Sequence, residues 1–136
     1  MQVAPYLFFD GRCEEAIAFY RANLGAELMT MMRFKDAPAP QAGMVPPGSE
    51  DKVMHARLRI GDAVVLASDG RCQGKPQFQG FSLSLAVASD TEAERMFTSL
   101  SDGGVVQMPL TQTFFSSRFG MVADRFGVSW MVSVAP

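Results

Sequence analysis

Histidine is nearly absent from this chain of 136 residues, with His55 the only one, and that scarcity excludes several kinds of chemistry. A Ser-His-Asp triad would have to use His55, and no G-x-S-x-G turn exists to present a nucleophilic serine. Cysteine is equally scarce. Cys13 and Cys72 lack metal-type spacing; the first falls on a predicted buried helix face and the second in a loop beside Arg71, so nothing supports a thiol nucleophile. Charge of one sign is also lacking. A formal net charge of -2 and a pI near 5.3 leave no basic footprint for nucleic acid and no polybasic membrane anchor. Apolar runs last only a few residues, against roughly 20 for a membrane span, and the start of the chain reaches Pro5 and Asp10 without a signal-like stretch. The expectation is a soluble, reduced, cytoplasmic protein with no membrane partner.

Periodicity is plentiful. A chain of this length buries roughly two thirds of its unfolded surface, enough for a shared core. Val3 to Phe9 is a short aromatic strand ended by Asp10-Gly11. Cys13, Ala16, Ile17, Tyr20 and Leu24 then share one helix face, with Glu14 and Glu15 at its positive end and Gly25 suited to a left-handed cap. Ala26 to Phe34 predicts a strand. Val53 to Ile60 alternates Met54, Ala56, Leu58 and Ile60 against His55, Arg57 and Arg59, and Gly61-Asp62 turns it into Ala63 to Ser68.

The order β-α-β-β-β then repeats. Phe81 to Ala88 alternates large apolar with small residues, and Ser89-Asp90-Thr91-Glu92 matches a capping box before a helix with Ala93, Met96, Phe97 and Leu100 on one face. Gly103-Gly104 stops that helix, and strands are predicted near Val105 to Pro109, Phe115 to Ala123 and Val128 to Val134. The fold class is therefore α+β: two βαβββ modules, residues 1–68 and 81–136, joined by a linker over 69–80. Lys35 to Asp51, rich in proline and glycine, reads as a loop over one rim, either an ordinary surface insertion or a lid.

Pro5 to Gly11, Glu15 to Tyr20, Met54 to Asp62, Gln112 to Phe115 and Asp124 to Met131 together resemble PhnB-like proteins of the vicinal oxygen chelate (glyoxalase/bleomycin resistance) superfamily. The resemblance covers nearly the whole chain. It implies paired modules whose curved mixed sheets enclose a cup, and assembly as a homodimer. Ten methionines and eleven phenylalanines point the same way, toward apolar surface that a second copy covers. Metal-dependent members use His, Gln or Glu at matched strand positions, which the resemblance maps to Pro5, Val65, Met131 and the Leu83 to Leu85 segment. Those side chains offer one hydroxyl at most, so neither a metal nor another cofactor is expected. The methyltransferase label carried by PhnB-like proteins finds no support in a Gly-rich strand-to-helix turn, since Gly103-Gly104 follows a helix.

A small organic ligand bound without metal is the expected partner. His55 belongs to the strand face that does not pack the helices, where it serves either as an acid or base or as a structural hydrogen-bonding group. Arg57 and Arg59 share that face and can fork onto an anion. Phe115 and Phe119 offer aromatic contacts, whereas Trp130 suits the core side of the last strand. Asp69 is placed at the cup mouth or in a linker turn, and Asp124 forms the turn before Gly127. The competing expectation is a lyase, isomerase or oxygenase that uses His55 or a nonstandard metal site.

Overall fold

Both predicted modules appear in the computed structural model, which describes residues 1–38, 47–70 and 75–136. The chain divides into two compact units, Met1–Pro76 and Gln77–Pro136. In the first, β1 (Tyr6–Phe8), β2 (Glu27–Arg33), β3 (Val53–Ile60) and β4 (Ala63–Ser68) form a sheet in the order β1-β4-β3-β2. β1 runs parallel to β4, and the other pairings are antiparallel. A single turn of 3-10 helix, Phe34–Asp36, follows β2.

Helix α1 (Cys13–Leu24) covers one face of this sheet. It buries Cys13, Ala16, Ile17, Tyr20 and Leu24, as its spacing predicts, and Phe19 as well. Gly25 ends it in the left-handed region at φ 66°. Its first turn has no side-chain cap from Arg12. One donor there, Cys13 N, is met from 56 residues away by Asp69 Oδ1 at 2.8 Å, which also accepts from Gly11 N ahead of the helix at 2.7 Å.

The alternation on β3 holds. Ala56 and Leu58 are buried toward α1, with Val65 and Ala67 of β4 opposite them, so His55, Arg57 and Arg59 lie on the helix-free face. This register corrects two positions. Val65 is packed on the helix side, and its neighbours Val64 and Leu66 face the open side; likewise Pro5 precedes β1, whose open-face residues are Tyr6 and Phe8 beside the buried Leu7.

The second unit repeats the plan with β5 (Leu83–Val87), α2 (Asp90–Ser101), β6 (Val105–Thr111), β7 (Phe119–Ala123) and β8 (Ser129–Val134), in sheet order β5-β8-β7-β6. Ser89 Oγ accepts from Glu92 N at 3.2 Å, while Glu92 Oε2 reaches Ala88 N at 3.4 Å, one residue before the usual reciprocal partner. Gly120 faces α2. A methyl group there would stand 2.7 Å from Phe97 Cε2, so alternation along β7 turns Phe119 and Met121 to the helix-free side. Trp130 and Val132 pack on the helix side, as predicted.

Several predicted boundaries move. The first strand is shorter than Val3 to Phe9. Phe81 precedes β5. Phe115 lies outside β7, because Thr113 to Ser116 closes its own turn, with Thr113 N donating to Ser116 O at 2.9 Å and Thr113 Oγ1 accepting from Ser116 N at 3.2 Å. Of the predicted loop and linker, residues 39–46 and 71–74, with Cys72, lie outside the described residues.

Candidate functional site

The open face of the first sheet gathers unlike chemistry. Cross-strand register aligns Tyr6, Leu66, Arg57 and Thr30 in one row, and His55 stands beside Met32 in the next. Tyr6 Oη and His55 Nδ1 are 3.0 Å apart and share a hydrogen bond whose direction follows the imidazole tautomer. The Tyr6 ring also stacks on Phe8 with centroids 4.9 Å apart. Tyr6 and Phe8 remain 37% and 54% exposed, so this aromatic surface is open.

The two arginines on this face differ. Arg59 is committed to Glu27, its cross-strand partner, at 2.5 Å. Arg57 is half-buried, and its Nε is buried without a hydrogen-bond partner among the described residues. Leaving such a donor unmet costs about 1–3 kcal/mol. An acceptor that engages this guanidinium would recover part of that cost and add a charge-assisted bond.

Asp69 is not a free group at a cup mouth. It is only 2% exposed, and besides Gly11 and Cys13 it accepts from Val53 N at 2.8 Å, so its carboxylate ties the start of α1 to the start of β3. Asp124 does similar work in the second unit. It accepts from Phe126 N, Val128 N and Trp130 Nε1, which fixes the turn before β8.

A charged cleft of about 390 Å³ beside α1 is lined by Glu14, Arg33, Lys35, Asp51, Lys52 and Asp69. Its charges answer one another: Arg33 pairs with Glu14, Lys35 with Asp51, and Lys52 Nζ donates to Gly11 O. The hydrogen bond from Arg33 holds the Glu14 carboxyl below its ordinary range. Burial, followed by the charges of Asp69 and Glu14, pushes the Cys13 thiol far up, so it is no nucleophile.

In the second unit, Phe115 is 51% exposed and meets the buried Phe119 edge-on at 5.0 Å. Phe114, fully exposed, meets Phe115 at 5.1 Å. Thus His55 and Arg57 share one open face in the first unit, and Phe115 and Phe119 form a pair in the second. Tyr6 was missed by the sequence reading. Leu7 and Phe9 are buried, which leaves Tyr6 on the open face, and no alternation in the wholly apolar run marks it beforehand.

The donor set does not fit a metal. The open-face residues of β1 and β4 are Tyr6, Phe8, Val64, Leu66 and Ser68, and those of β5 and β8 are Ser84, Ala86, Ser129, Met131 and Ser133, without imidazole or carboxylate. No group of three or more His, Cys, Asp or Glu able to hold an ion occurs among the described residues.

A family model described as 3-demethylubiquinone-9 3-methyltransferase matches residues 1–133. The chain belongs to this family, the PhnB-like family. Protein YjdN of Escherichia coli K12 is 36% identical over 140 residues, covering 98% of this chain and 95% of that protein. The crystal structure of protein PA1353 from Pseudomonas aeruginosa is 45% identical with a TM-score of 0.87, covering 99% of this chain and 98% of that one. A PhnB protein from Bacillus cereus is 26% identical with a TM-score of 0.83, covering 99% and 100%. The wider fold is that of the glyoxalase/bleomycin resistance proteins. A glyoxalase-related enzyme from Fulvimarina pelagi shares it at 19% identity and a TM-score of 0.67, over 100% of this chain and 89% of that one.

Proposed function

We propose that this PhnB-like protein binds a small organic molecule without a metal ion, on the open face of its first sheet. The observation that carries the reading is the meeting there of the exposed Tyr6–His55 pair with Arg57, whose buried Nε has no acceptor among the described residues. Exposed rings offer a planar surface, and the guanidinium offers charge to an acceptor oxygen. In the second unit, Phe115 propped by Phe119 is a further aromatic contact surface. Asp69 is left out, because its oxygens already serve three backbone donors.

The family's description names a methyltransferase. That activity does not follow for this chain, whose halves contain no Gly-rich strand-to-helix turn of the kind a nucleotide-type donor needs. We expect a homodimer in the cytoplasm.

The test is a thermal-shift screen of small organic compounds, repeated after treatment with chelator. A ligand at about 100 times Kd should stabilise the fold by roughly 2.7 kcal/mol with or without chelator. His55→Ala should weaken binding and leave the melting temperature of the free protein nearly unchanged. Stabilisation that needs an added transition metal, or a large loss of stability in His55→Ala with affinity intact, would overturn the reading.

A second reading has its own support in the Tyr6–His55 hydrogen bond, which orients the imidazole as an acid or base requires. It predicts that a bound ligand with an acidic C–H exchanges that hydrogen for deuterium in heavy water, and that His55→Ala stops the exchange.

A further inference from the structure

The helix-free side of the second sheet carries a feature that the Tyr6, His55 and Arg57 surface does not use. Met121 and Met131, direct cross-strand partners on β7 and β8, floor an open depression of about 590 Å³. Phe78 and Phe81 form its wall, their rings edge to face at 6.5 Å. Among the described residues, no charged side chain lines it.

Its polar groups are ordered in one direction. Ser129 Oγ donates to Gln107 Oε1 at 3.2 Å. Ser82 Oγ lies 2.8 Å from Ser129 Oγ, and with the Ser129 proton already committed, Ser82 is the donor of that bond. Both hydroxyl protons and the Gln107 carbonyl oxygen are therefore used within the chain. The Gln107 amide N–H groups remain, on an exposed residue of the edge strand β6 that also lines the depression.

These features select a ligand class. Thioethers are polarisable, adapt their rotamers to a flat partner and make favourable contacts with aromatic rings. A carboxylate or ammonium placed here would lose water and meet no opposite charge among the described residues. A carbonyl oxygen, by contrast, would meet the donors of Gln107. We infer that the depression binds a flat, uncharged, carbonyl-bearing apolar molecule, with its ring system on Met121 and Met131 against Phe78 and Phe81 and its oxygen accepting from Gln107 Nε2.

The experiment uses the full chain labelled with 13C at the methionine methyl groups, with Met121 and Met131 assigned by Met→Leu variants. Three probes of one shape are titrated: 2-acetylnaphthalene, 2-ethylnaphthalene and 2-naphthoate. The expected result is saturable shifts at the Met121 and Met131 methyls, with the ketone bound about tenfold more tightly than the ethyl compound, a difference of about 1.4 kcal/mol. The anion should bind more weakly than the ketone. Gln107→Leu should abolish the preference for the ketone over the ethyl compound. Shifts confined to other methionines, equal affinity for ketone and ethyl compound in the unmodified protein, tighter binding of the anion, or a preference that survives in Gln107→Leu would each overturn it. The comparison of probes on the unmodified protein decides the matter even if the variant fails to fold.

Discussion

Asp69 shows how much one side chain can organise. Three backbone donors at Gly11, Cys13 and Val53 converge on it, from a loop, a helix start and a strand start. A hydrogen bond to a charged acceptor contributes about 1.5–3 kcal/mol, and an orphaned buried donor costs a comparable amount. Asp69→Ala should therefore lose on the order of 3 kcal/mol or more, read as a lower urea midpoint at unchanged slope. An unaltered midpoint would mean that water replaces the carboxylate at no cost. Cys13, next to that carboxylate, has its thiolate disfavoured by burial and by negative neighbours. Iodoacetamide at pH 8 should leave it unmodified in the folded protein and alkylate it in urea, as peptide mass mapping would show.

At the scale of elements, Gly120 of β7 packs tightly against the Phe97 ring of α2. An added methyl group would meet the Phe97 ring at 2.7 Å and the Leu110 backbone at about 3.0 Å. Gly120→Ala should cost roughly 1–3 kcal/mol through overpacking, and Gly120→Ala with Phe97→Leu should recover part of it. The double variant's melting temperature checks the coupling. Strands were most legible where alternation ran long: the limits of β3 and β4 agree with the sequence pattern. They were least legible near Phe115, where apolar residues suggested strand while Thr113 and Ser116 closed a turn that the hydrophobic pattern does not record. The same limit applies to β1. Its aromatic run shows a strand but not which rings face outward.

At the scale of the molecule, both sheets end in edge strands that leave apolar side chains in the open. Met29 and Met32 of β2 are 45% and 42% exposed, and Val105, Val106 and Met108 of β6 are 67%, 45% and 38% exposed. Exposed edges of this kind invite another chain. We expect light scattering at micromolar concentration to give twice the 14.8 kDa mass of one chain. A single-chain mass that does not change with concentration would contradict the homodimer. No helix among the described residues is long and apolar enough to cross a membrane.

The sequence by itself determined the repeated βαβββ order, the buried faces of both helices and the side of β3 that holds His55, because those properties follow from periods of 3.6 and 2 along a continuous stretch. It also showed that Met131 and the Leu83 to Leu85 segment offer one hydroxyl at most, since residue type alone settles that chemistry. Only the tertiary structure decided which partner each side chain meets. Pairing of β3 with β4 turned Val65 toward the helix. Packing between segments far apart in the chain made Asp69 a clasp, put Tyr6 against His55, matched Arg59 to Glu27 and left Arg57 Nε without an acceptor among the described residues. Contacts between residues dozens of positions apart depend on how strands align across a sheet, and no local pattern in the chain encodes that alignment.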